Sequence, residues 1–173
     1  MPAYVKSTLL DRLNSENISV STHEHDAVFT VAESDELHAK LPGAHSKNLF
    51  LKDKKSRYFL VTAAHDTQID LKQIHKLIGA QGRVSFGKAD ALMELLGVEP
   101  GSVTPFGVAN DTYHKVTMVL DSALMDHDIG NYHPLTNTAT TAIAQTDLIA
   151  FLKGTGHDPL IVDVSETNPA LDA

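Results

Sequence analysis

The sequence predicts a single α+β domain built on a mixed or mainly antiparallel sheet. Segments with strand and helix patterns are interspersed, without the strict strand–helix–strand order of a parallel sheet. The 173 residues suffice for one sizeable core. No linker, repeat or low-complexity tract divides the chain.

Val5, Leu9, Leu10 and Leu13 recur at helical spacing, so residues 3–16 form an opening amphipathic helix that stops at Asn17. Residues 18–25 alternate and are rich in β-branched side chains, the pattern of a strand. A short helix over 31–39 ends before Pro42 and Gly43. Residues 47–52 and 57–62 are two strands around the polar turn 53–56. Asp70 caps a helix whose apolar face is Leu71, Ile74, Leu77 and Ile78. A short strand over 83–86 precedes a helix over 88–96, which Gly97 terminates by accepting the left-handed conformation. Residues 116–120 are a buried strand by apolar content, 130–137 a glycine- and proline-punctuated loop or bulged strand, and 138–143 alternate again. A helix over 147–152, closed by Gly154, and a strand over 160–164 complete the domain, 1–164. The polar tail 165–173 is expected to be loose.

Composition narrows the function. There is no cysteine, which removes disulfides, thiolate zinc sites and a cysteine nucleophile together. Lys6, Asp11 and Arg12 break up the N-terminal apolar positions, so no signal peptide is read there and the expected compartment is the cytoplasm. No apolar run approaches membrane-spanning length, so no membrane partner is expected. The formal net charge of −8 on its face argues against a nucleic-acid partner, DNA included. Residues 47–57 nevertheless concentrate Lys47, Lys52, Lys54, Lys55 and Arg57 against Asp53 alone. Such a ribbon either grips a phosphate backbone or is an ordinary solvated hairpin tip.

The chain has ten histidines, and His23 and His25 would point to one face of a strand. A catalytic zinc needs a third ligand and an open position, and no HExxH pattern supplies them. These histidines read as exposed or hydrogen-bonded strand residues, with no metal. GxSxG, GxGxxG and GxxxxGK[ST] are absent, which disfavours a serine hydrolase and dinucleotide or P-loop binding, so no cofactor is expected. Two segments resist explanation as packing. Lys47 and Asn48 set polar groups at the mouth of an apolar strand. Gly130 and Pro134 bracket a turn carrying His133, with Asn137 beyond it, which is either a structural turn or a set of backbone N–H groups aimed at an anion.

These segments together resemble the YbaK/ProX family of aminoacyl-tRNA editing domains, in its freestanding prolyl-tRNA deacylase branch. The resemblance rests on HDAVFTVAE (25–33), KNLFLKDKK (47–55), LLGVEPGSVTPFGVAND (95–111), VLD (119–121) and GNYHPLTNTATTAI (130–143), in family order. It implies a curved mixed sheet flanked by helices, and hydrolysis of the ester joining a wrong amino acid to tRNA. The KNLFL and HPLTN forms resemble the branch acting on alanyl-tRNA(Pro); cysteinyl-tRNA(Pro) deacylases are relatives.

The same resemblance gives the site residues. Lys47 stands where the family carries its functional lysine and would anchor the phosphate of the terminal adenosine, with Asn48 donating or accepting beside it. Backbone N–H groups around Gly130, in the family's glycine-x-x-x-proline loop, would stabilise an oxyanion. His133 would orient water or the substrate amine, or be structural, and Pro134 and Asn137 would complete that side. By their proximity to these motifs Phe29, Val31 and Leu49 would wall a small apolar pocket, and Thr30 would bind substrate beside them. Lys52, Lys54, Lys55 and Arg57 would contact tRNA. The implied partners are mischarged tRNA(Pro) and a prolyl-tRNA synthetase; the other readings are a deacylase for cysteinyl- or seryl-tRNA, or a non-catalytic tRNA- or synthetase-binding module.

Overall fold

A computed structural model describes residues 2–28 and 30–172, apart from the side chain of Val31. Phe29 therefore lies outside the described residues. The elements are α1 (Lys6–Ser15), β1 (Val20–Glu24), α2 (Val31–Lys40), β2 (Ala44–Lys52), β3 (Tyr58–Ala64), α3 (His75–Ile78), β4 (Ser85–Phe86), α4 (Ala89–Leu96), β5 (Val116–Asp121), β6 (Ile129–Tyr132), β7 (Ala139–Ala144), α5 (Gln145–Gly154) and β8 (Leu160–Val162). They build one mixed sheet in the order β1-β7-β6-β2-β3-β5-β8, with β4 added to β2. The pairs β2–β6, β3–β5 and β5–β8 are parallel; β1–β7, β6–β7, β2–β3 and β2–β4 are antiparallel.

β3 is buried from Phe59 to Ala64, which is why its sequence is a nearly continuous apolar run and not an alternating one. One core joins Leu9 and Leu13 of α1, Leu92 and Leu96 of α4, and Phe151 of α5 to Phe50, Leu60 and Leu120 of the sheet. The opposite face of β2, β3 and β5 buries Leu51, Val61 and Val119 against Ile74, Leu77 and Ile78. Burying each such side chain is worth roughly 1.5–3 kcal/mol.

Two sequence expectations are corrected and a third is resolved. The helix after Asp70 is a single turn: Gln73 N–H and Lys76 N–H bond to carbonyls three residues back, so 71–74 wind as tight turns until Gly79 (φ 74°) ends the segment. Asp70 does cap it, accepting from Lys72 N–H at 2.9 Å. The tail is not loose, because Val164 and Leu171 are buried in the second core and Pro169–Asp172 form a 3-10 turn. Of the two readings of 130–137, the strand holds at its start, where Gly130 lies in β6, an interior strand.

Candidate active site

A short pairing creates the site. β2 and β6 are hydrogen-bonded neighbours only at Ala44↔Gly130 and His45↔Asn131, whereas β2 stays paired with β3 from Ser46 to Lys52. Beyond His45 the two parallel strands part, and a cleft of about 300 Å³ occupies the fork. Ser46, Lys47 and Asn48 form one wall; Asn131, Tyr132, His133 and Thr140 form the other. Ser34, Leu37 and His38 of α2 contribute to the lining, as do Val28, Pro100, Gly101 and Val103. The Thr30 hydroxyl starts α2 by accepting from Glu33 N–H at 3.1 Å.

Lys47 is held from behind. Its ammonium donates to the carbonyl of Thr67, and the Thr67 hydroxyl donates to Asp121 Oδ2 at 2.6 Å. Asp121 has no exposed surface and also accepts from Ala64 N–H at 3.1 Å and Ala123 N–H at 3.2 Å. A buried carboxylate thus fixes a hydroxyl, the hydroxyl fixes its residue, and that residue's carbonyl fixes the ammonium. Two of the three ammonium protons remain for a ligand. Asn48 is oriented likewise: its Oδ1 accepts from the Thr62 hydroxyl at 2.6 Å, which leaves its amide N–H₂ as the free donor.

The facing wall presents acceptors. His133 Nδ1 lies 3.0 Å from the Ala139 carbonyl and donates to it, so in the neutral ring Nε2 carries the lone pair. Burial lowers the His133 pKa below the ordinary histidine range, which keeps the ring neutral. His25 donates from Nδ1 to the Asp26 carbonyl (2.7 Å) and accepts from the Thr140 hydroxyl at Nε2 (2.8 Å).

Beside Lys47 the fold assembles three imidazoles that sequence reading did not connect. His38 and His45 stack with centroids 4.0 Å apart, and His65 stands edge-on 5.0 Å from His38. Burial first, and then the neighbouring rings, push the His38 pKa down to about 4. Lys47 is therefore the formal cation of the cleft. No spacing signals this cluster, because its members come from α2, β2 and the turn after β3. Among the described residues no three His, Asp or Glu side chains are grouped to hold a metal.

Lys47, Asn48 and His133 are brought together as the sequence suggests; other expected site residues lie elsewhere. Gly130 itself does not line the cleft, although the three residues after it, Asn131, Tyr132 and His133, do; its strand is flanked by β2 and β7. Its lack of a side chain has another cause: a Cβ there would stand 2.4 Å from the Tyr132 hydroxyl and 2.7 Å from Gln145 Oε1. Those two groups share a buried 2.6 Å hydrogen bond. Leu49 shares the β2 face of Lys47 and Leu51 but packs on the second core without lining the cleft. Pro134 and Asn137 sit in the turn after β6 without lining the cleft, although Asn137 Nδ2 closely approaches Gly101. Thr30 acts as a helix cap, and Phe29 and the Val31 side chain lie outside the described residues. The small apolar walls are instead Val28, Leu37, Pro100 and Val103.

At the far end of β2 the basic ribbon is less free than its composition suggests. Asp53 is buried in the turn and accepts from the backbone of Lys55, Arg57 and Gln81 and from Arg57 Nε at 3.0 Å. Burial opposes its ionisation, but these donors prevail and hold its pKa at about 2. Arg57 is thereby committed to the turn, leaving Lys52, Lys54 and Lys55 without ion-pair partners among the described residues.

The profile of the aminoacyl-tRNA editing domain family matches residues 25–151. Over 165 residues the chain is 42% identical to bovine prolyl-tRNA synthetase associated domain-containing protein 1, covering 93% of this chain and 96% of that one. It is 35% identical over 153 residues to the prolyl-tRNA editing protein ProX of Acetoanaerobium sticklandii, covering 88% and 93%. The fold matches a crystal structure described as a candidate trans-editing enzyme for prolyl tRNA synthetase, with a TM-score of 0.65 at 18% identity over 92% of this chain and 98% of that one.

Proposed function

From the premise that the chain belongs to the YbaK/ProX family of aminoacyl-tRNA editing domains, we propose that it deacylates mischarged tRNA(Pro), with alanine the amino acid removed. The observation that carries this reading is the fork between β2 and β6, with positioned donors on one wall and neutral acceptors on the other. Lys47 takes the phosphate of the terminal adenosine, and the Asn48 amide donates beside it. A water attacks the ester carbonyl; the new C–O bond displaces the ribose oxygen, which leaves as the hydroxyl of the free tRNA. The family resemblance assigns activation of that water to the adenosine's own neighbouring hydroxyl. His133 Nε2 orients the water or the substrate amine by accepting a hydrogen bond.

Selectivity follows from size. A synthetase pocket made for proline rejects alanine poorly, since each missing methylene is worth only about 1–3 kcal/mol. A second cleft walled by Val28, Leu37, Pro100 and Val103 can admit a methyl group and exclude a pyrrolidine ring. The names of the relatives support a prolyl-tRNA synthetase as partner.

The competing reading is a tRNA- or synthetase-binding module without catalysis. A deacylation assay across alanyl-, cysteinyl-, seryl- and prolyl-tRNA(Pro) separates the two. Alanine should be released fastest and proline spared. Rapid loss of proline, or release of no amino acid, would overturn the proposal.

A further inference from the structure

Lys47 gives the cleft a place for the phosphate end of an aminoacyl-adenosine and leaves the other end unanswered. The α-amino group of an aminoacyl ester is an ammonium near neutral pH. No Asp or Glu lines the cleft among the described residues, so an ammonium bound there must be met by neutral acceptors.

Asn131 carries such an acceptor. It lines the cleft from β6 and is only 4% exposed. Its amide is not free to turn: Nδ2 donates to the carbonyls of Pro42 (3.0 Å) and Ala44 (3.1 Å), which uses both N–H groups and fixes which side carries the oxygen. Its main-chain carbonyl accepts from the Ser46 hydroxyl at 3.1 Å, so the backbone is held as well. Oδ1, turned away from the Pro42 and Ala44 carbonyls, is buried and has no hydrogen-bond partner. Buried acceptors are ordinarily paired, and one left orphaned in a cleft wall calls for a donor from outside the chain. Two residues on, at the end of β6, His133 lines the same wall, about 7 Å away along the backbone and on the same side by alternation. Its Nε2 carries a lone pair, because Nδ1 donates to the Ala139 carbonyl.

From this arrangement we infer that Asn131 is a specificity-determining residue, whose Oδ1 accepts a hydrogen bond from the α-ammonium of the aminoacyl group, with His133 Nε2 as the second acceptor. Two acceptors with no donor between them suit a group that only donates. The ammonium is the one such group in an aminoacyl ester, since water and the ribose hydroxyls both donate and accept. Hydrogen bonds from a cation to neutral acceptors are strong, and they place no anion opposite Lys47 to compete with the phosphate. The site would thus select a free amino group without a carboxylate. The inference rests on the reading that the chain takes aminoacyl-tRNA, but does not depend on which small amino acid is removed.

The test uses the whole chain and two acceptor-stem RNA hairpins whose terminal adenosine carries a non-hydrolysable 3′-alanylamide or 3′-lactylamide. The lactyl group has the same size but replaces the ammonium by an uncharged hydroxyl with a single donor. The parent protein should bind the alanyl hairpin tenfold or more tighter, as expected where a buried polar group loses its partner. Asn131→Ala should bring the two affinities within about twofold of each other, mainly by weakening the alanyl hairpin. Asn131→Asp keeps an acceptor but loses both N–H bonds, and should retain the preference even where its melting temperature falls. Equal affinities in the parent protein would overturn the inference and leave Oδ1 to an ordered water. A preference unchanged in Asn131→Ala, or lost equally in both variants, would also overturn it and reduce Asn131 to a brace of the 42–44 segment. Single-turnover deacylation of alanyl-tRNA(Pro) by the parent protein judges the enzyme reading separately. An inactive protein that still prefers the alanyl hairpin keeps the ammonium site and loses the enzyme; an active one that binds both alike does the reverse.

Discussion

In the proposed reading, the role of Lys47 is prepared by residues that would touch no substrate. Its charge is useful only where the Thr67 carbonyl holds it, and Thr67 stays in place because Asp121 accepts its hydroxyl. Lys47→Ala should cut deacylation severely while leaving the melting temperature nearly unchanged, because a half-exposed lysine contributes little to folding. Thr67→Val tests the support. It removes one hydrogen bond, worth about 1 kcal/mol of stability, and should raise KM severalfold with kcat nearly unaltered, the signature of lost uniform binding. Thr67→Ser should restore KM. A valine variant with the parental KM would reduce the Thr67–Asp121 contact to a structural brace.

At the scale of elements, β6 serves two purposes along four residues. Its first half completes the sheet through the short parallel contact with β2, and its end diverges to present Tyr132 and His133 to the cleft. Gly130 belongs to the first purpose. Gly130→Ala should force apart the Tyr132–Gln145 hydrogen bond, which also anchors α5 to Leu124 through Gln145 Nε2 at 2.9 Å. The expected result is a loss of stability of about 1–3 kcal/mol from overpacking, measured by denaturant unfolding. A variant with parental stability but a much lower saturated rate would return Gly130 to a catalytic role.

The whole molecule is tied together by a buried pair outside the cleft. His157, just after α5, lies 2.9 Å from Asp111, and the Asp111 carboxylate also accepts from Lys115 and Val116 N–H at the entry to β5. Burial opposes ionisation of Asp111, but His157 and these two amides outweigh it and lower its pKa. A carboxyl with a depressed folded-state pKa contributes stability that is fully present above its unfolded value and lost as pH falls through the folded one. Stability should therefore decline on acidification below the ordinary carboxylate range, and more shallowly in Asp111→Asn. That variant should also lose about 1–3 kcal/mol near neutrality, as expected when a buried hydrogen-bond acceptor is removed. Parallel pH profiles for the two proteins would rule out Asp111 as the titrating group.

Much of the fold was legible because its signals are local. The apolar spacing of α1 and α4, the alternation in β1 and β7, and the polar turn after Lys52 each depend on a few neighbouring residues. Lys47, Asn48 and His133 were legible as polar groups where packing alone would not place them. The resemblance in five ordered segments gave their expected roles, and composition alone could not. Other features depended on residues far apart in the chain. The two-residue contact between β2 and β6 opens the cleft, yet nothing in either strand announces where pairing stops. His38, His45 and His65 become neighbours through three separate elements. The need for glycine at 130 was hidden because its steric conflict is with the hydrogen-bonded pair of Tyr132 and Gln145, thirteen residues apart. Sequence patterns report which face a residue turns to its own element. Which distant groups meet on that face is set by the packing of whole elements, and that is what decided the site.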